Sequence, residues 1–307
     1  QLLQQTQQII QWCHQAVNLA RTLYEKNQPY HREFATIQTP FLSLVDEAGN
    51  WEIYDGKLRV KDPDGSLYLD QFDAHKYTEI INEQVKSWSY MKFPFFKDRG
   101  EKLGWYRVGP LARINNCSQL STPLAEIERQ QFVQSAPNSA PTMQATLAYH
   151  WARMIEALHC AESIETLLMD PACLATNLMT TCKRPSNDIR TGIGVIEAPR
   201  GTLFHHYEVN QEDIVTRANL IVSTTSNNQA MNESIRQVAN QYLSGQELTP
   251  NLLNHIEVAI RAYDPCLSCA THAVGKMPLV IELGKVDNNS ISIVDRLSSE
   301  SIRDHHE

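Results

Sequence analysis

The sequence predicts an α+β fold dominated by helices. Three observations point to it. Apolar residues recur every three or four positions over several long stretches. A turn-punctuated series of short β-prone runs lies near residues 34–73, and a second strand-like patch lies near 191–225. No repeat, low-complexity tract or linker separates these regions, so the chain reads as one interlocked unit. With 307 residues, 42% of them apolar and 20% charged, the chain can bury a sizeable core, which excludes disorder and collagen-like repetition. The 27 basic and 35 acidic side chains give a net charge of −8, which favours neither a nucleic-acid groove nor an anionic membrane. No apolar run reaches the ~18–20 residues of a membrane span. Seven scattered cysteines, an odd number, do not form a secreted disulfide framework and fit a reducing, cytoplasmic setting. The start, Gln1-Leu2-Leu3, has no initiator Met and no signal-type core, so the chain is expected to begin inside a longer protein.

The elements follow in order. Ile9, Ile10, Cys13, Val17, Ala20 and Leu23 give the first 27 residues a helical spacing that Asn27 and Pro29 are expected to end. The runs Phe41–Val45, Trp51-Glu52-Ile53-Tyr54 and Lys57-Leu58-Arg59-Val60 alternate with Ala48-Gly49-Asn50, Asp55-Gly56 and Asp62-Pro63-Asp64-Gly65, the texture of a hairpin meander. A helix is expected over about 74–88, then an aromatic stretch through Pro110. Met143, Leu147, Trp151, Met154, Leu158 and Ala161 predict a long helix over 142–169, with Ser139 and Pro141 near its start. Strand-like runs at Ile193-Gly194-Val195-Ile196, Thr202-Leu203-Phe204 and Leu220-Ile221-Val222 precede helices expected over 229–243 and 250–263. Thr249 would cap the second of these, with Pro250 in its first turn. Met277–Leu283 and Ile291–Val294, joined through Asn288-Asn289, read as a two-strand tail.

The segment Asp264-Pro265-Cys266-Leu267-Ser268-Cys269-Ala270-Thr271-His272 carries the chemistry. Pro265 disfavours helical backbone at Asp264, so the preceding helix should stop there. Two thiols spaced C-x-x-C can reach one soft or borderline metal, with an imidazole three residues on. Taken alone, the pair also fits a redox dithiol or two buried structural cysteines. No second C-x-x-C or paired histidines complete a zinc site, and a thioredoxin-type motif would follow a strand rather than a helix.

The flanking residues narrow the choice. The D-P-C-x-x-C-x-x-H block resembles the C-terminal signature of the large, catalytic subunit of nickel–iron hydrogenases. So do Glu197-Ala198-Pro199-Arg200-Gly201-Thr202-Leu203-Phe204-His205-His206 and Leu220-Ile221-Val222-Ser223-Thr224-Thr225. Tyr106-Arg107-Val108-Gly109-Pro110-Leu111-Ala112-Arg113 and Trp88-Ser89-Tyr90-Met91-Lys92-Phe93-Pro94 are similar to the soluble bidirectional, NAD(P)-linked group. The family's other metal block, R-x-C-G-x-C, and its proton-relay glutamate are not in this sequence; Cys13 and His14 cannot replace them. The chain is therefore expected to be the C-terminal portion of a longer subunit.

The resemblance implies a large-subunit-like fold and reversible heterolytic cleavage of dihydrogen. Cys266 would bind nickel terminally and accept the proton, and Cys269 would bridge nickel and iron. Arg200 would hold its charge over the open edge of the centre, where lysine would be a poor substitute. Pro199, Arg200 and Thr224 would surround the iron's cyanide and carbon monoxide ligands. His272 and the Leu220 carbonyl would bind a separate structural cation, magnesium or iron. For His205 and His206 a core histidine and an exposed one are as good a reading as ligands. Implied partners are an iron–sulfur small subunit, flavin/NAD(P) diaphorase subunits, nickel-insertion factors and an endopeptidase that removes the tail after His272. No G-x-G-x-x-G fingerprint or cluster-type cysteine array is present for NAD or iron–sulfur binding in this chain itself. The competing reading is a truncated or metal-free relative that serves only as a structural, docking subunit.

Overall fold

The computed structural model describes residues 2–137, 141–176, 179, 190–244, 249–267, 280–287 and 290–298. Helix α1, Leu2–Lys26, runs into the short α2, Gln28–Glu33. Pro29 thus ends one helix by opening the next, because its fixed φ and missing N–H suit a first turn. The expected meander follows as an antiparallel sheet of β1, Phe41–Val45, β2, Lys57–Lys61, and β3, Leu67–Phe72. The run Trp51–Tyr54 forms no strand: Trp51 makes a bridge to Val45, and the Ile53 carbonyl accepts from Glu197 N–H at 2.8 Å.

The helix expected over 74–88 is cut short. A 3-10 turn at Ala74–Lys76 and α3, Tyr77–Ile80, give way to β4, Ile81–Gln84, which pairs with β5, Phe93–Phe96. The aromatic run of β5 offers a strand partner, and that pairing outweighs a weak local helical preference. Next come α4, Gly100–Leu103, α5, Pro110–Asn116, and α6, Pro123–Gln134.

The long central helix, α7, spans Ala148–Leu168, starting six residues after the expected position of 142. Side chains recruit the backbone of the intervening stretch. Asn115 Oδ1 accepts from the Met143 N–H at 2.8 Å, and the buried Arg107 guanidinium donates to the Gln144 carbonyl at 3.1 Å. These bonds satisfy buried backbone groups that a helix would otherwise have paired internally. Ser139, read as part of the start, lies outside the described residues.

A second three-stranded antiparallel sheet holds β6, Arg190–Ala198, β7, Gly201–Val209, and β8, Val215–Ile221, as expected. It is followed by α8, Ser223–Ser226, α9, Asn228–Val238, a π-wound turn at Ala239–Leu243, and α10, Pro250–Tyr263. Thr249 caps α10 by accepting from Leu252 N–H at 3.4 Å. The tail forms a hairpin of β9, Val280–Asp287, and β10, Ser290–Ser298.

One core cluster packs α1, α5 and α6 around α7. Its centre is Trp151, whose ring lies 5.6 Å from Tyr24 and 5.0 Å from Phe132. A second joins the meander to β4, β5 and the β6–β8 sheet, and a third seals α9 and α10 against Phe34. Among the described residues no helix is long and apolar enough to cross a membrane.

Candidate metal centre

The site is built around the turn of the β6–β7 hairpin. Ala198 pairs with Gly201, so Pro199 and Arg200 form a two-residue connection. The turn can approach the start of α5 only because two glycines face each other. Gly201 has φ +136, and a Cβ there would lie 2.2 Å from Val108 Cγ2. Gly109 has φ +93, and a Cβ there would lie 2.8 Å from the Arg200 carbonyl oxygen. Both positions exclude larger residues by backbone angle and by space. Val108 is itself anchored: its N–H donates to Asn227 Oδ1 at 2.9 Å and its carbonyl accepts from Tyr149 Oη at 2.9 Å.

Beneath the turn lies Arg113 of α5, almost fully buried. It donates twice to Glu156 of α7, at 2.5 and 2.6 Å, and once to Glu197 Oε2 at 2.7 Å. It also donates to the carbonyls of Ala198 at 2.9 Å and Pro199 at 3.0 Å. Burial opposes the Arg113 charge, but the two carboxylates outweigh it and hold the guanidinium protonated. Glu197 accepts in addition from Leu44 N–H at 2.9 Å and Thr202 Oγ1 at 2.7 Å. Its pKa is nevertheless raised, chiefly by burial, against the opposing pull of Arg113. One cation facing two carboxylates leaves the triad one negative charge in excess, which is consistent with that direction.

Above the turn, Arg200 Nε donates to the Asp264 carbonyl at 2.5 Å and Nη2 reaches Asp264 Oδ1 at 3.3 Å. Asp264 ends α10 in the left-handed region, φ +52, where non-glycine residues are uncommon. The helix thus stops where Pro265 required, and Arg153 Nη2 binds the Ala262 carbonyl of its last turn at 3.0 Å. Cys266 follows. Its N–H donates to Thr224 Oγ1 at 3.0 Å, and the neighbouring Ser223 hydroxyl donates to the Gly201 carbonyl at 2.7 Å. Thr224 is buried and lines the cleft, and its hydroxyl oxygen is the acceptor of that bond from the Cys266 loop.

Pro199, Arg200, Leu220, Thr224 and Cys266 line one cleft of ≈ 390 Å³. A second cavity, ≈ 350 Å³, lies on the Arg113 side of the same turn and is lined by Glu156, Glu197 and Asp264. Five of the residues singled out from sequence are therefore neighbours. Cys269 and His272 lie outside the described residues. His206 is buried with Nδ1 3.2 Å from Tyr77 Oη, and His205, beside Leu220 in the ladder, lines the cleft. Cys266 is disulfide-bonded in this structure, and only its reduced thiolate can serve as a metal ligand. Among the described residues no group of three or more His, Cys, Asp or Glu side chains converges to hold a metal. The described part of the cleft thus supplies one sulfur donor, a guanidinium and a hydroxyl donor. Of these, a thiolate suits a soft or borderline metal.

Reading the sequence left Arg113, Glu156 and the pairing role of Asp264 without assignment. A signal existed for Glu156: it shares the buried face of α7 with Trp151, Ala152 and Ile155, where an ionised side chain needs a partner. No local pattern named that partner, which comes from α5.

The family pattern described as nickel-dependent hydrogenase matches residues 31–272. The chain is 43% identical over 277 residues to the NAD-reducing hydrogenase HoxS subunit beta of Cupriavidus necator, covering 90% of this chain and 56% of that protein. A crystal structure of an NAD+-reducing nickel–iron hydrogenase in the H2-reduced state superposes with a TM-score of 0.82 at 48% identity, covering 88% of this chain and 59% of that one. The nickel–iron–selenium hydrogenase of Desulfovibrio vulgaris Hildenborough shares the fold alone, at TM-score 0.62 and 19% identity over 87% of this chain and 60% of that one. The chain thus spans a little over half the length of the relatives it matches.

Two outcomes follow from the turn and its support. Gly201→Ala is expected to cost roughly 2–4 kcal/mol from backbone strain and overpacking, measured by urea denaturation; a change under about 0.5 kcal/mol would refute the packing account. The folded pKa of Glu197 lies above its unfolded value, so its contribution to stability is fully present below the unfolded pKa and fades as pH rises through the folded one. Wild type should therefore lose stability relative to Glu197→Gln as pH is raised from about 4 toward 7. A difference running the other way would show that Arg113 depresses this carboxyl.

Proposed function

The chain belongs to the nickel-dependent hydrogenase family, and on that footing we propose that it is the part of a catalytic large subunit that holds half of the thiolate ligands of a nickel–iron centre, for reversible cleavage of dihydrogen. The observation that carries the reading is the convergence of Arg200, Thr224 and Cys266 on one cleft, tied by the 3.0 Å bond from Cys266 N–H to Thr224 and by the Arg200–Asp264 contacts. Cys269 joins Cys266 as the second thiolate of this chain. When bound, the centre, with cyanide and carbon monoxide on its iron, supplies the Lewis acidity and electron-accepting capacity that heterolytic cleavage needs.

The chain's own residues do the rest. The Cys266 thiolate is the base that receives the proton at Sγ. Arg200, held at its Nε by the Asp264 carbonyl, keeps a permanent positive charge at the mouth of the cleft. The Thr224 hydroxyl and the turn at Pro199 and Arg200 present hydrogen-bond donors to the iron's diatomic acceptors, which would otherwise be buried unpaired at a cost of about 1–3 kcal/mol each. His272 and the Leu220 carbonyl serve a structural cation, magnesium or iron. Electrons leave through an iron–sulfur small subunit toward a flavin/NAD(P) module, in a cytoplasmic complex. The NAD-reducing relatives support that assignment of the acceptor. Retention of Cys266, Cys269 and His272 favours this over a purely structural docking subunit, whose thiolates would have no task.

The tail, with its β9–β10 hairpin, is proposed to be the extension removed after His272 by a maturation endopeptidase once nickel-insertion factors have acted. Mass spectrometry of active enzyme from its native host should find a C-terminus at His272; active enzyme that retains residues 273–307 overturns this. Metal analysis of the assembled complex tests the main reading. Cys266→Ser should lose nickel and hydrogen-dependent dye reduction together. Arg200→Lys should keep both metals and lose activity by about 100-fold. A complex that carries zinc or no metal would sink the proposal.

A further inference from the structure

Arg113 sits on the far side of the hairpin turn from Cys266 and has no expected contact with the metal centre, yet it grips the main chain of two of the three residues leading into Arg200. We propose that Arg113, held by Glu156 and Glu197, is a positioning residue that aims the turn's main-chain donor and the Arg200 side chain into the metal cleft. This inference rests on the reading of the cleft as the nickel–iron site.

In a trans peptide the carbonyl and the following N–H point in opposite directions. Arg113 Nη2 binds the Pro199 carbonyl at 3.0 Å from the side of the second cavity, so the Arg200 N–H of the same plane is turned away from Arg113. Pro199 has no N–H, which leaves Arg200 N–H as the donor the turn can offer to a ligand. The Ala198 carbonyl is gripped by the same guanidinium at 2.9 Å, so two successive planes are fixed by one rigid group. Rotation of that group is prevented by the paired bonds to Glu156 on α7 and the bond to Glu197 on β6. The start of α5 also lies close against the turn: a Cβ at Gly109 would meet the Arg200 carbonyl oxygen at 2.8 Å, which leaves the turn little room to move toward it. The planar fork of arginine is needed here: five acceptors are met at once, whereas a lysine ammonium has three donors and no fixed plane.

The test uses the assembled holoenzyme that contains this chain, with Arg113→Lys and, separately, Glu156→Gln. Both variants are loaded with metal, checked for nickel and iron content, and compared by infrared spectroscopy of the cyanide and carbon monoxide stretches and by hydrogen-dependent dye reduction. The expected result for Arg113→Lys is wild-type metal content, displaced or broadened cyanide bands, and kcat lower by about 100-fold, the size of effect a misplaced reacting group produces. Glu156→Gln, which leaves the guanidinium in place but loosens its paired clamp, should shift the same bands by less and lower kcat by about 10-fold. Unmoved bands and unchanged kcat in metal-loaded Arg113→Lys would overturn the proposal. Loss of metal, or unfolding, in both variants would also overturn it, because the triad would then serve assembly or folding alone. Failure of the underlying reading looks different: the parent enzyme itself would show no nickel and no such bands.

Discussion

A single buried guanidinium fixes how two helices and a hairpin meet. Arg113 comes from α5, Glu156 from α7 and Glu197 from β6, and the carbonyls of Ala198 and Pro199 complete the set. A buried ion network of this kind contributes little net stability, because desolvation offsets the attraction between its members. Its effect lies in geometry: losing Arg113 would leave two buried carboxylates without a cation, and losing any of its partners would leave a buried donor unpaired, so only one arrangement of the three elements satisfies all of them. Elements distant in sequence are thereby forced into register at the wall of the cleft.

The rest of the site is set by close backbone approach. Gly109 and Gly201 let the start of α5 touch the hairpin turn, and Ser223 and Thr224 tie α8 to Gly201 and Cys266. Asp264 takes a left-handed backbone conformation to end α10 and turn the chain toward Cys266, and Arg200 holds it there through its carbonyl. The Ala198–Pro199 segment is consequently shared by two cavities, with carboxylates on one side and the sulfur on the other. A metal site needs such rigidity, since small displacements of its surrounding donors change both affinity and reactivity.

Much of the fold was legible because its signals are local. The meander at β1–β3 announces itself through turn residues, the β6–β8 sheet through β-prone runs, and α10 through Thr249 and Pro250. The errors have a common cause. Residues 142–147 carry a helical apolar spacing, yet Asn115 and Arg107 take over their backbone bonds; residues 81–84 pair with β5 instead of continuing a helix. In each case a partner far along the chain outcompeted a weak local preference. The same holds at the site: Arg200, Thr224 and Cys266 were found through their motifs, whereas Arg113 and Glu156, which support them, stand in no motif that names their roles.

Residue order alone dictated the C-x-x-C spacing, the glycine and proline positions of the turn, and the end of the helix before Pro265, because each depends on the chemistry of residues adjacent in the chain. Folding in three dimensions decided which cation meets which carboxylate, where the main-chain donors point, and that Pro199, Arg200, Leu220, Thr224 and Cys266 share one cleft. Those outcomes depend on burial. A charge excluded from water must find its partner wherever packing brings one, and no local pattern encodes that meeting.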